Sequence, residues 1–546
     1  DNKSTEDRMR ILSVKAMRNL EKESDARGVT YSMMMDRAGR GVADESRKMF
    51  PGGGKCLALV GSGNNGGDAL VALRALAENG WEVAAYLVRQ RARGDKLMEA
   101  VVELGGKIHL AEDDMDCVIL GNLLQTADVW LDGVFGTGIQ LPLKSEVARI
   151  LDFVGRFQPR RFTVAVDCPS GVDCDTGDAA KETIPADLTI CMEAVKTGLL
   201  RFPAFGKVGE LRIVNLGLPA DLSKADPGEP FVITREIAAD QLPERSLDSH
   251  KGSFGTALVA AGSINYSGAA WLAASAAYRS GAGLVTLAAP YALHAALSGS
   301  LPEVTWLILP DQMGVISAEG SSLLRHSAEK ASALLLGPGW GQEDTTKLLL
   351  EELLVGVARH AGGAGFLAAV NPGTESHKLP PLIIDADGLK LLAKIPDWWK
   401  RLPFDTILTP HPGEMSILTG LSIEEIQSDR WEVARQYADR WGCVVVLKGA
   451  LTVIASPDGR LAVLPIATPA LARAGTGDVL AGLICGLRAQ GVRAFEAAIA
   501  GAWIHGQAGL SACKIHGQPI SVLAGDVLSA IPGVLKTMTE SKKAGA

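Results

Sequence analysis

Short apolar runs alternate with amphipathic stretches along most of the first half of the chain, and this pattern predicts an α/β fold. One predicted strand ends at Leu131-Asp132. The other predicted strands cover residues 56–60, 81–88, 162–166, 188–191 and 211–214. The predicted helices between them cover residues 31–50, 68–79 and 95–104. This order is typical of a doubly wound, Rossmann-like sheet with helices on both faces, a three-layer αβα arrangement.

A charged stretch from 221 to 250 that contains several prolines interrupts the alternation, and we interpret it as a connector. The alternation then restarts with predicted strands at 257–261, 284–288, 333–336, 382–385 and 406–408 and a helix at 268–280. We place the boundary near Pro227. The sequence therefore predicts two α/β domains, residues 1–226 and 227–546.

Composition excludes several classes of protein. The chain has 546 residues, of which 47% are hydrophobic and 21% charged, which is typical of globular domains. A net charge of −8 argues against a nucleic-acid partner, and polar residues interrupt the longest uncharged stretch, so no membrane segment is expected. Eight cysteines without a C-x-x-C pair predict reduced thiols and a cytoplasmic protein. Because the chain begins Asp1-Asn2-Lys3-Ser4 without an initiator Met, we expect a trimmed N-terminus.

A glycine-rich turn follows the first long strand and precedes a helix. Residues 61–68, G-S-G-N-N-G-G-D, match the dinucleotide fingerprint G-x-G-x-x-G in the context that it requires. The next strand ends in V-R-Q-R at 88–91 instead of an acidic residue, and these arginines would suit an NADP-type site. The alternative is a purely structural turn, with Asp68 close to the helix N-terminus as a partner of its dipole.

Two further strand ends carry an aspartate followed by glycine. Asp132 lies in L-D-G-V-F-G-T-G at 131–138, and Asp167 lies in V-D-C-P-S-G-V-D at 166–173. Because ligands bind at the carboxyl ends of parallel strands, we expect these loops to meet the glycine turn in one crevice. Asn65, Asp132 and Ser170 would offer oxygen ligands to an alkali or alkaline-earth cation, and the amides of 136–138 would suit phosphate. Taken alone, an aspartate at a strand end is more often a helix cap.

These motifs, N-N-G-G-D, D-x-x-F-G-T-G and V-D-x-P-S-G, resemble those of the NAD(P)H-hydrate epimerase domain over residues 1–220. The resemblance implies that Asn65, Asp132 and Ser170 hold K⁺ and that Asp167 touches the reacting ring. A proton-exchanging group is needed to invert a ring carbon that bears a hydroxyl, which makes Asp167 the candidate catalytic residue. The resemblance further implies a substrate site lined by Asn64, Asn65, Gly66, Gly67, Asp68, Gly136, Thr137, Gly138, Ile139, Gln140, Leu141, Pro142 and Asp167. Ala69, Gly133 and Cys168 depart from the commoner residues of the family.

The most informative string of the second half is A-G-T-G-D-V-L-A-G at 474–482. Small residues before an apolar helix leave free amides for a phosphate, and a carboxylate at that position, Asp478, would accept a proton from an attacking hydroxyl. Asp478 could instead only balance the helix dipole. No Walker motif occurs, but V-L-K-G-A-L-T at 446–452 predicts a strand-turn-strand with Lys448 near a nucleotide, unless Lys448 is a solvated turn residue.

Four more polar residues follow predicted strands, and we expect them in the same crevice. They are Asp385, Asp387, His411 and Glu414. A single histidine is more often an ordinary loop residue, but within this group His411 becomes a candidate contact to substrate or to a metal-bound water.

Residues 229–535 resemble the nucleotide-dependent NAD(P)H-hydrate dehydratase, a branch of the ribokinase-like fold, in H-K-G-S-F-G, G-S-x-x-Y-S-G-A, D-A-D, T-P-H-P-G-E, L-K-G-A and G-T-G-D-V-L-A-G. The resemblance implies a hydrate site formed by Ala269, Gly339, His411 and Asp478, with Asp478 catalytic. It implies a nucleotide site formed by Lys448, Gly449, Ala450, Leu451, Thr452, Gly475, Thr476 and Gly477. Mg²⁺, ADP and a homo-oligomer are also implied by the resemblance, and Ala474 is a departure from it.

Together the resemblances predict a bifunctional enzyme of metabolite repair. It would interconvert the R and S hydrates of NADH and NADPH and dehydrate the S form with ADP, giving AMP and phosphate. ADP is preferred to ATP on the resemblance alone. The alternatives are a ribokinase-like metabolite kinase fused to a dinucleotide-binding module and a non-enzymatic N-terminal module. An NADP-dependent dehydrogenase is less favoured, because no partner residue for hydride transfer is evident.

Overall fold

The computed structural model describes residues 8–224, 226, 228–355 and 379–544. The chain divides into two compact units, residues 1–231 and 232–546. Pro227, where we predicted the boundary, lies outside the described residues. Among the described helices, none is both long enough and apolar enough to cross a membrane.

The first unit is built on a seven-stranded sheet in which every neighbouring pair is parallel. Its strands are β2 (Lys55–Val60), β3 (Glu82–Leu87), β4 (Lys107–Leu110), β5 (Val129–Gly133), β6 (Phe162–Val166), β7 (Leu188–Met192) and β9 (Glu210–Val214). They lie in the order β4-β3-β2-β5-β6-β7-β9, so the winding direction reverses between β2 and β5. Two short strands, β1 (Ile11–Leu12) and β8 (Val195–Lys196), form a separate parallel pair.

Helices cover both faces of this sheet because alternate residues of its strands are apolar on both sides. In β2, Ala58 and Val60 belong to one buried cluster, whereas Leu57 and Leu59 belong to another. The helices of this unit are Val14–Ala26, Tyr31–Met49, Asn64–Glu78, Lys96–Glu103, Val118–Thr126, Ser145–Arg156, Phe205–Val208 and Ala220–Ser223. The three layers expected from the pattern are present.

The second unit is built on a larger sheet of ten strands. These strands are β10 (Phe231–Val232), β11 (Thr256–Ala260), β12 (Leu284–Pro290), β13 (Thr305–Leu309), β16 (Ala333–Leu336), β17 (Leu382–Ile384), β18 (Ile407–Leu408), β19 (Val444–Leu447), β20 (Val453–Ala455) and β21 (Leu461–Val463). Their order is β10-β21-β20-β19-β18-β17-β16-β11-β12-β13. The neighbours from β19 to β13 are parallel, and β19, β20 and β21 pair antiparallel. A small hairpin joins β14 (Asp311–Gln312) and β15 (Val315–Ile316).

The helices of the second unit include two that pack closely through small residues. Ala273 and Ala277 of helix Ser267–Arg279 are fully buried, and a Cβ added at Gly482 of helix Thr476–Ala489 would lie 2.2 Å from the Ala273 carbonyl oxygen. This contact fixes the helix that carries Asp478. The other helices are Arg235–Asp240, Tyr291–Leu297, Ser321–Ala328, Asp344–Val355, Asp387–Leu392, Pro412–Thr419, Ile423–Ser428, Arg430–Trp441, Ala494–His516 and Ala524–Ala544.

The structure contains helices that were not predicted from the sequence, among them Val14–Ala26, Val118–Thr126 and Ser145–Arg156, and one predicted helix begins earlier. Helix Val14–Ala26 was not predicted, because charged residues mask its apolar face; the Ser13 side chain caps it by accepting from the Ala16 amide at 3.2 Å. The helix predicted to begin at Asp68 begins at Asn64. Its N-cap, Gly63, is extended, and only Gly66 and Gly67 of the glycine string lie inside the first helical turn.

Candidate active sites

The glycine turn of the first unit lies where β2 and β5 end, at the point where the winding reverses. A Cβ added at Gly61 would lie 1.9 Å from the Val134 carbonyl oxygen, and one added at Gly66 would lie 2.0 Å from the Gly61 carbonyl oxygen. Only glycine permits these backbones to approach so closely. The N-terminal amides of helix Asn64–Glu78 therefore open onto a crevice of the type that binds dinucleotides.

The three predicted cation ligands meet around one residue, Phe135. The Asn65 side-chain amide donates to the Phe135 carbonyl oxygen at 2.9 Å, and the Phe135 amide donates to the Ser170 hydroxyl at 2.9 Å. Ser170 in turn donates to Asp132 from its hydroxyl and, at 2.8 Å, from its amide. Burial raises the pKa of Asp132, and the bonds from Ser170 oppose that rise. Amide, carboxylate, hydroxyl and carbonyl oxygens form a donor set that fits an alkali cation.

The predicted substrate loop, residues 136–142, is half-buried or exposed and begins beside the cation ligands. A Cβ added at Gly136 would lie 3.4 Å from the Asn65 side chain. The Thr137 carbonyl oxygen accepts a bond of 3.5 Å from Arg18. This loop and the glycine turn therefore border one crevice, as the strand-end argument requires.

Asp167 follows β6 with a positive φ of 66°, a conformation that costs an aspartate of order 1 kcal/mol or more. Its Oδ1 accepts from the Met192 amide at 2.9 Å and from the Lys196 ammonium. Lys196, only 1% exposed, was missed by the sequence analysis. A lysine that follows a valine matches no sequence motif. Its partner becomes evident only in the structure, where residues distant in the sequence come together.

In the second unit, polar side chains from three neighbouring strand ends meet at Lys448. Its ammonium lies 2.6 Å from Asp385 Oδ1 and 3.6 Å from Glu414 Oε2. The Thr409 hydroxyl also donates to Asp385 Oδ1, at 2.7 Å. Although burial alone would lower the pKa of Lys448, the charges of Asp385 and Glu414 raise it above its usual value. The strand-end residues after β17, β18 and β19 thus form one cluster.

Asp478 lies in the first turn of helix Thr476–Ala489, behind the N-cap Gly475, whose φ of 89° is in the left-handed region that glycine favours. A Cβ added at Gly477 would lie 3.4 Å from the Lys448 ammonium, so this loop borders the lysine cluster. Burial and the charge of Asp385 raise the pKa of Asp478 to about 7, and Lys448 opposes the rise. A carboxyl group with this pKa is suited to accept a proton near neutral pH.

The predicted nucleotide turn, residues 448–452, joins β19 to β20 as expected. Gly449 has a φ of 147°, and the Thr452 hydroxyl donates to its carbonyl oxygen at 2.9 Å. The Arg430 guanidinium donates to the carbonyl oxygens of Leu447 at 2.9 Å and Lys448 at 3.2 Å. Arg430 was not among the predicted residues. It begins a helix, and it contacts the strand that comes after that helix in the sequence.

The remaining predicted hydrate contacts fall into two places. A Cβ added at Gly339 would lie 2.7 Å from the Ala269 Cβ, so these two residues are neighbours. His411 caps helix Pro412–Thr419, accepting from the Gly413 amide at 3.0 Å, while its Nε2 lies 3.3 Å from Glu414 Oε1. Burial lowers the pKa of His411. The cap and the contact with the Lys448 cluster are both compatible with a neutral imidazole.

The Asp385 carboxylate is the group of this cluster best placed to bind a divalent cation. Its Oδ2 is buried and has no hydrogen-bond partner, as expected of an oxygen that binds a metal ion. The described residues contain no group of three or more His, Cys, Asp or Glu side chains with metal-binding geometry. Mg²⁺ therefore fits here as an ion bound chiefly through nucleotide phosphates, the usual arrangement for this cation.

A dinucleotide-type crevice in one unit and an amide loop with a proton-accepting carboxylate in the other are the features of a two-domain α/β enzyme. Two family models match the chain: NAD(P)H-hydrate dehydratase over residues 257–533 and YjeF-related protein N-terminus over residues 31–198. The chain belongs to the family of bifunctional NAD(P)H-hydrate repair enzymes.

Several relatives resemble the chain over nearly its whole length. The bifunctional NAD(P)H-hydrate repair enzyme Nnr of Moorella thermoacetica is 35% identical and covers 93% of each chain. Its namesake in Escherichia coli is 32% identical over 90% of this chain and 87% of its own. The crystal structure of ADP/ATP-dependent NAD(P)H-hydrate dehydratase from Bacillus subtilis with ATP and Mg²⁺ is 30% identical, with a TM-score of 0.45, over 56% of this chain and 98% of that one.

The predicted family, enzyme class and α/β fold class are therefore confirmed. The individual site residues, K⁺ and the boundary at 226 remain predictions.

Proposed function

We propose that this protein repairs hydrated NADH and NADPH in two steps. The N-terminal unit interconverts the R and S hydrates, and the C-terminal unit dehydrates the S hydrate at the expense of ADP, giving AMP and phosphate. The observation that supports this most directly is Asp478, a half-buried carboxyl group with a pKa of about 7 at the mouth of an amide loop beside Lys448. That combination suits phosphoryl transfer to a substrate hydroxyl.

The dehydration begins at the hydroxyl of the hydrated ring, which is a poor leaving group. Asp478 takes its proton while the hydroxyl oxygen forms a bond to the terminal phosphorus of ADP, and the bond from that phosphorus to AMP breaks. The ring nitrogen lone pair then expels phosphate with the electrons of the carbon–oxygen bond. Loss of a proton from the neighbouring ring carbon restores the double bond and hence the reduced nicotinamide.

Positive groups face the charge that develops during this transfer. The helix N-terminus at Gly477 lies beside Lys448, whereas the Thr476 amide donates to the Arg473 carbonyl oxygen at 3.4 Å. Mg²⁺, when bound with the nucleotide, would neutralise phosphate charge. Ala269, Gly339 and His411 would contact the hydrate, and Arg430 would hold the turn that contacts the nucleotide.

Epimerisation requires a group that exchanges a proton with the hydrate, and Asp167 fills this role at the crevice of the first unit. Asn65, Asp132 and Ser170 would hold K⁺ next to the substrate loop, where a cation favours an anionic substrate. A cytoplasmic location and a homo-oligomer complete the proposal.

The test uses a mixture of both NADPH hydrates, purified protein, Mg²⁺ and either ADP or ATP. We expect ADP to support full recovery of the reduced-nicotinamide absorbance, with one free phosphate released per hydrate consumed. Asp478→Asn should abolish recovery but leave interconversion of the epimers intact.

Other outcomes separate the two activities. Recovery of one epimer followed by a slow spontaneous phase would refute the epimerase assignment alone. A stable phosphorylated product without recovery would instead identify a metabolite kinase.

A further inference from the structure

Lys196 is a buried charged residue that has no role in the reaction proposed above. Its residue is 1% exposed, and its ammonium contacts Asp167 and donates to the Met192 carbonyl oxygen at 3.0 Å. The strand that carries it, β8, is held by β1, with Lys196 in register with Leu12. A buried ion pair contributes little to stability compared with apolar residues of similar volume, so packing alone does not account for this lysine.

The two carboxylate oxygens of Asp167 differ in their hydrogen-bond partners. Oδ1 accepts from the Lys196 ammonium and from the Met192 amide, whereas Oδ2 has no hydrogen-bond partner among the described residues. The Asp167 side chain is 13% exposed, so it is not sealed from the crevice. Oδ2 is therefore the oxygen that is free to exchange a proton.

Other acidic groups surround this pair. Burial raises the pKa of Glu21, and the charge of Asp167 adds to the rise, while Lys196 and Arg18 oppose it. Burial and the charges of Asp167 and Glu21 raise the pKa of Asp68 well above its usual range. The thiols Cys168, Cys174 and Cys191 also lie near the pair, and burial raises the pKa of Cys191. Lys196 is thus the cation in contact with Asp167 among these carboxyl groups and thiols.

We propose that Lys196 is a positioning residue for epimerisation: it engages Oδ1 of Asp167 and so leaves Oδ2 to exchange a proton with the hydrate. This inference rests on the proposed epimerase function. Lys196 itself, buried behind Asp167, acts through that residue.

The test compares Lys196→Met with the wild-type protein and with Lys181→Met, which removes an exposed lysine of the same unit. The kcat and KM for interconversion of the R and S hydrates are measured, and thermal unfolding followed by circular dichroism serves as the folding control. Because Oδ1 loses its buried partner and the carboxylate is no longer held in place, and a misplaced group costs about 10²-fold in rate, kcat for interconversion should fall by about that factor. KM should change little, and Lys181→Met should behave as the wild type does.

A second variant keeps a cation at this position. Lys196→Arg should retain part of the kcat that Lys196→Met loses, and it decides the matter if Lys196→Met does not fold. An unchanged kcat in Lys196→Met, or a complete loss of interconversion in a folded Lys196→Arg, would overturn the proposal. A wild-type protein that does not interconvert the epimers would overturn the proposed function as well.

Discussion

Asp478→Asn should lower activity but raise stability. Ionised Asp478 is needed as the proton acceptor, yet its ionisation destabilises the folded state. The folded protein binds the Asp478 proton more tightly than the unfolded chain does, since burial and Asp385 raise its pKa from 3.8 to about 7. Above pH 7 the group is ionised in both states, and the folded state bears the cost of that ionisation. The neutral amide of asparagine avoids the cost, but it cannot accept the substrate proton.

The shift from 3.8 to about 7 corresponds to roughly 4 kcal/mol at pH 8. Because Asp478 is partly open to solvent, we expect a gain in the free energy of unfolding of about 1–2 kcal/mol for the variant. The gain should shrink as pH falls below 7, where the folded-state carboxyl takes up its proton, and should vanish below about pH 3.8, where aspartate becomes neutral in both states. Loss of the general base should lower kcat by about 10²–10⁴-fold. In the wild type, about one-tenth of Asp478 is ionised at pH 6 and about nine-tenths at pH 8, so kcat/KM should rise about tenfold between them.

The assay combines calorimetric unfolding at pH 5 and pH 8 with recovery of reduced nicotinamide from the S hydrate and ADP. A gain of 1–2 kcal/mol should raise the Tm of the C-terminal unit by roughly 1.5–3 °C, because a unit of this size unfolds with a large entropy. Asp344→Asn is the matched control, because it neutralises an exposed first-turn aspartate of another helix in the same unit. It should keep full activity and gain no stability. If Asp478→Asn lost stability at pH 8, or kept its activity, the assignment of Asp478 as a desolvated base would be refuted.

Three further predictions follow from individual contacts. Lys448→Met should weaken ADP binding, measured by calorimetric titration, and unchanged affinity would contradict this. The variant should also lower the free energy of unfolding by about 3–5 kcal/mol, because Asp385 and Glu414 lose their buried cation. Asn65→Ala should reduce the K⁺ dependence of epimerisation without affecting dehydration, and equal loss of both activities would count against a K⁺ site. Gly61→Ala should abolish epimerisation and spare dehydration of the S hydrate, because its Cβ would lie 1.9 Å from a carbonyl oxygen; full interconversion of the epimers would show that the crevice tolerates the change.

Much of both folds could be predicted because it is encoded locally. The run Cys56-Leu57-Ala58-Leu59-Val60 is apolar at every position, as a strand covered on both faces must be, and the structure places it within β2. Helix Val14–Ala26 escaped prediction because its burial is slight: only Val14, Met17 and Ser24 are buried. Helix Ser145–Arg156 was not predicted either, although Val147, Ile150, Leu151 and Val154 form one buried face at helical spacing.

The candidate residues were likewise visible where a motif places them at a strand end. Asp385, His411 and Lys448 each follow a predicted strand, and parallel strands bring their carboxyl ends together. Lys196 and Arg430 carry no such signal. Each is defined by a contact across the fold, Lys196 with Asp167 and Arg430 with the Leu447 carbonyl oxygen, and a sequence pattern holds no record of such contacts.

The sequence by itself determined the family, the two α/β folds and the residues that could perform the chemistry, because periodicity and glycine turns act over a few neighbouring positions. Only the tertiary structure decided the state of those residues. Asp478 is an ordinary aspartate along the chain, and its pKa rises to about 7 because folding buries it and brings Asp385 close. Asp167 has one engaged oxygen and one free oxygen because Lys196 and Met192 converge on it. Charge state and orientation depend on distances through space, which folding alone sets.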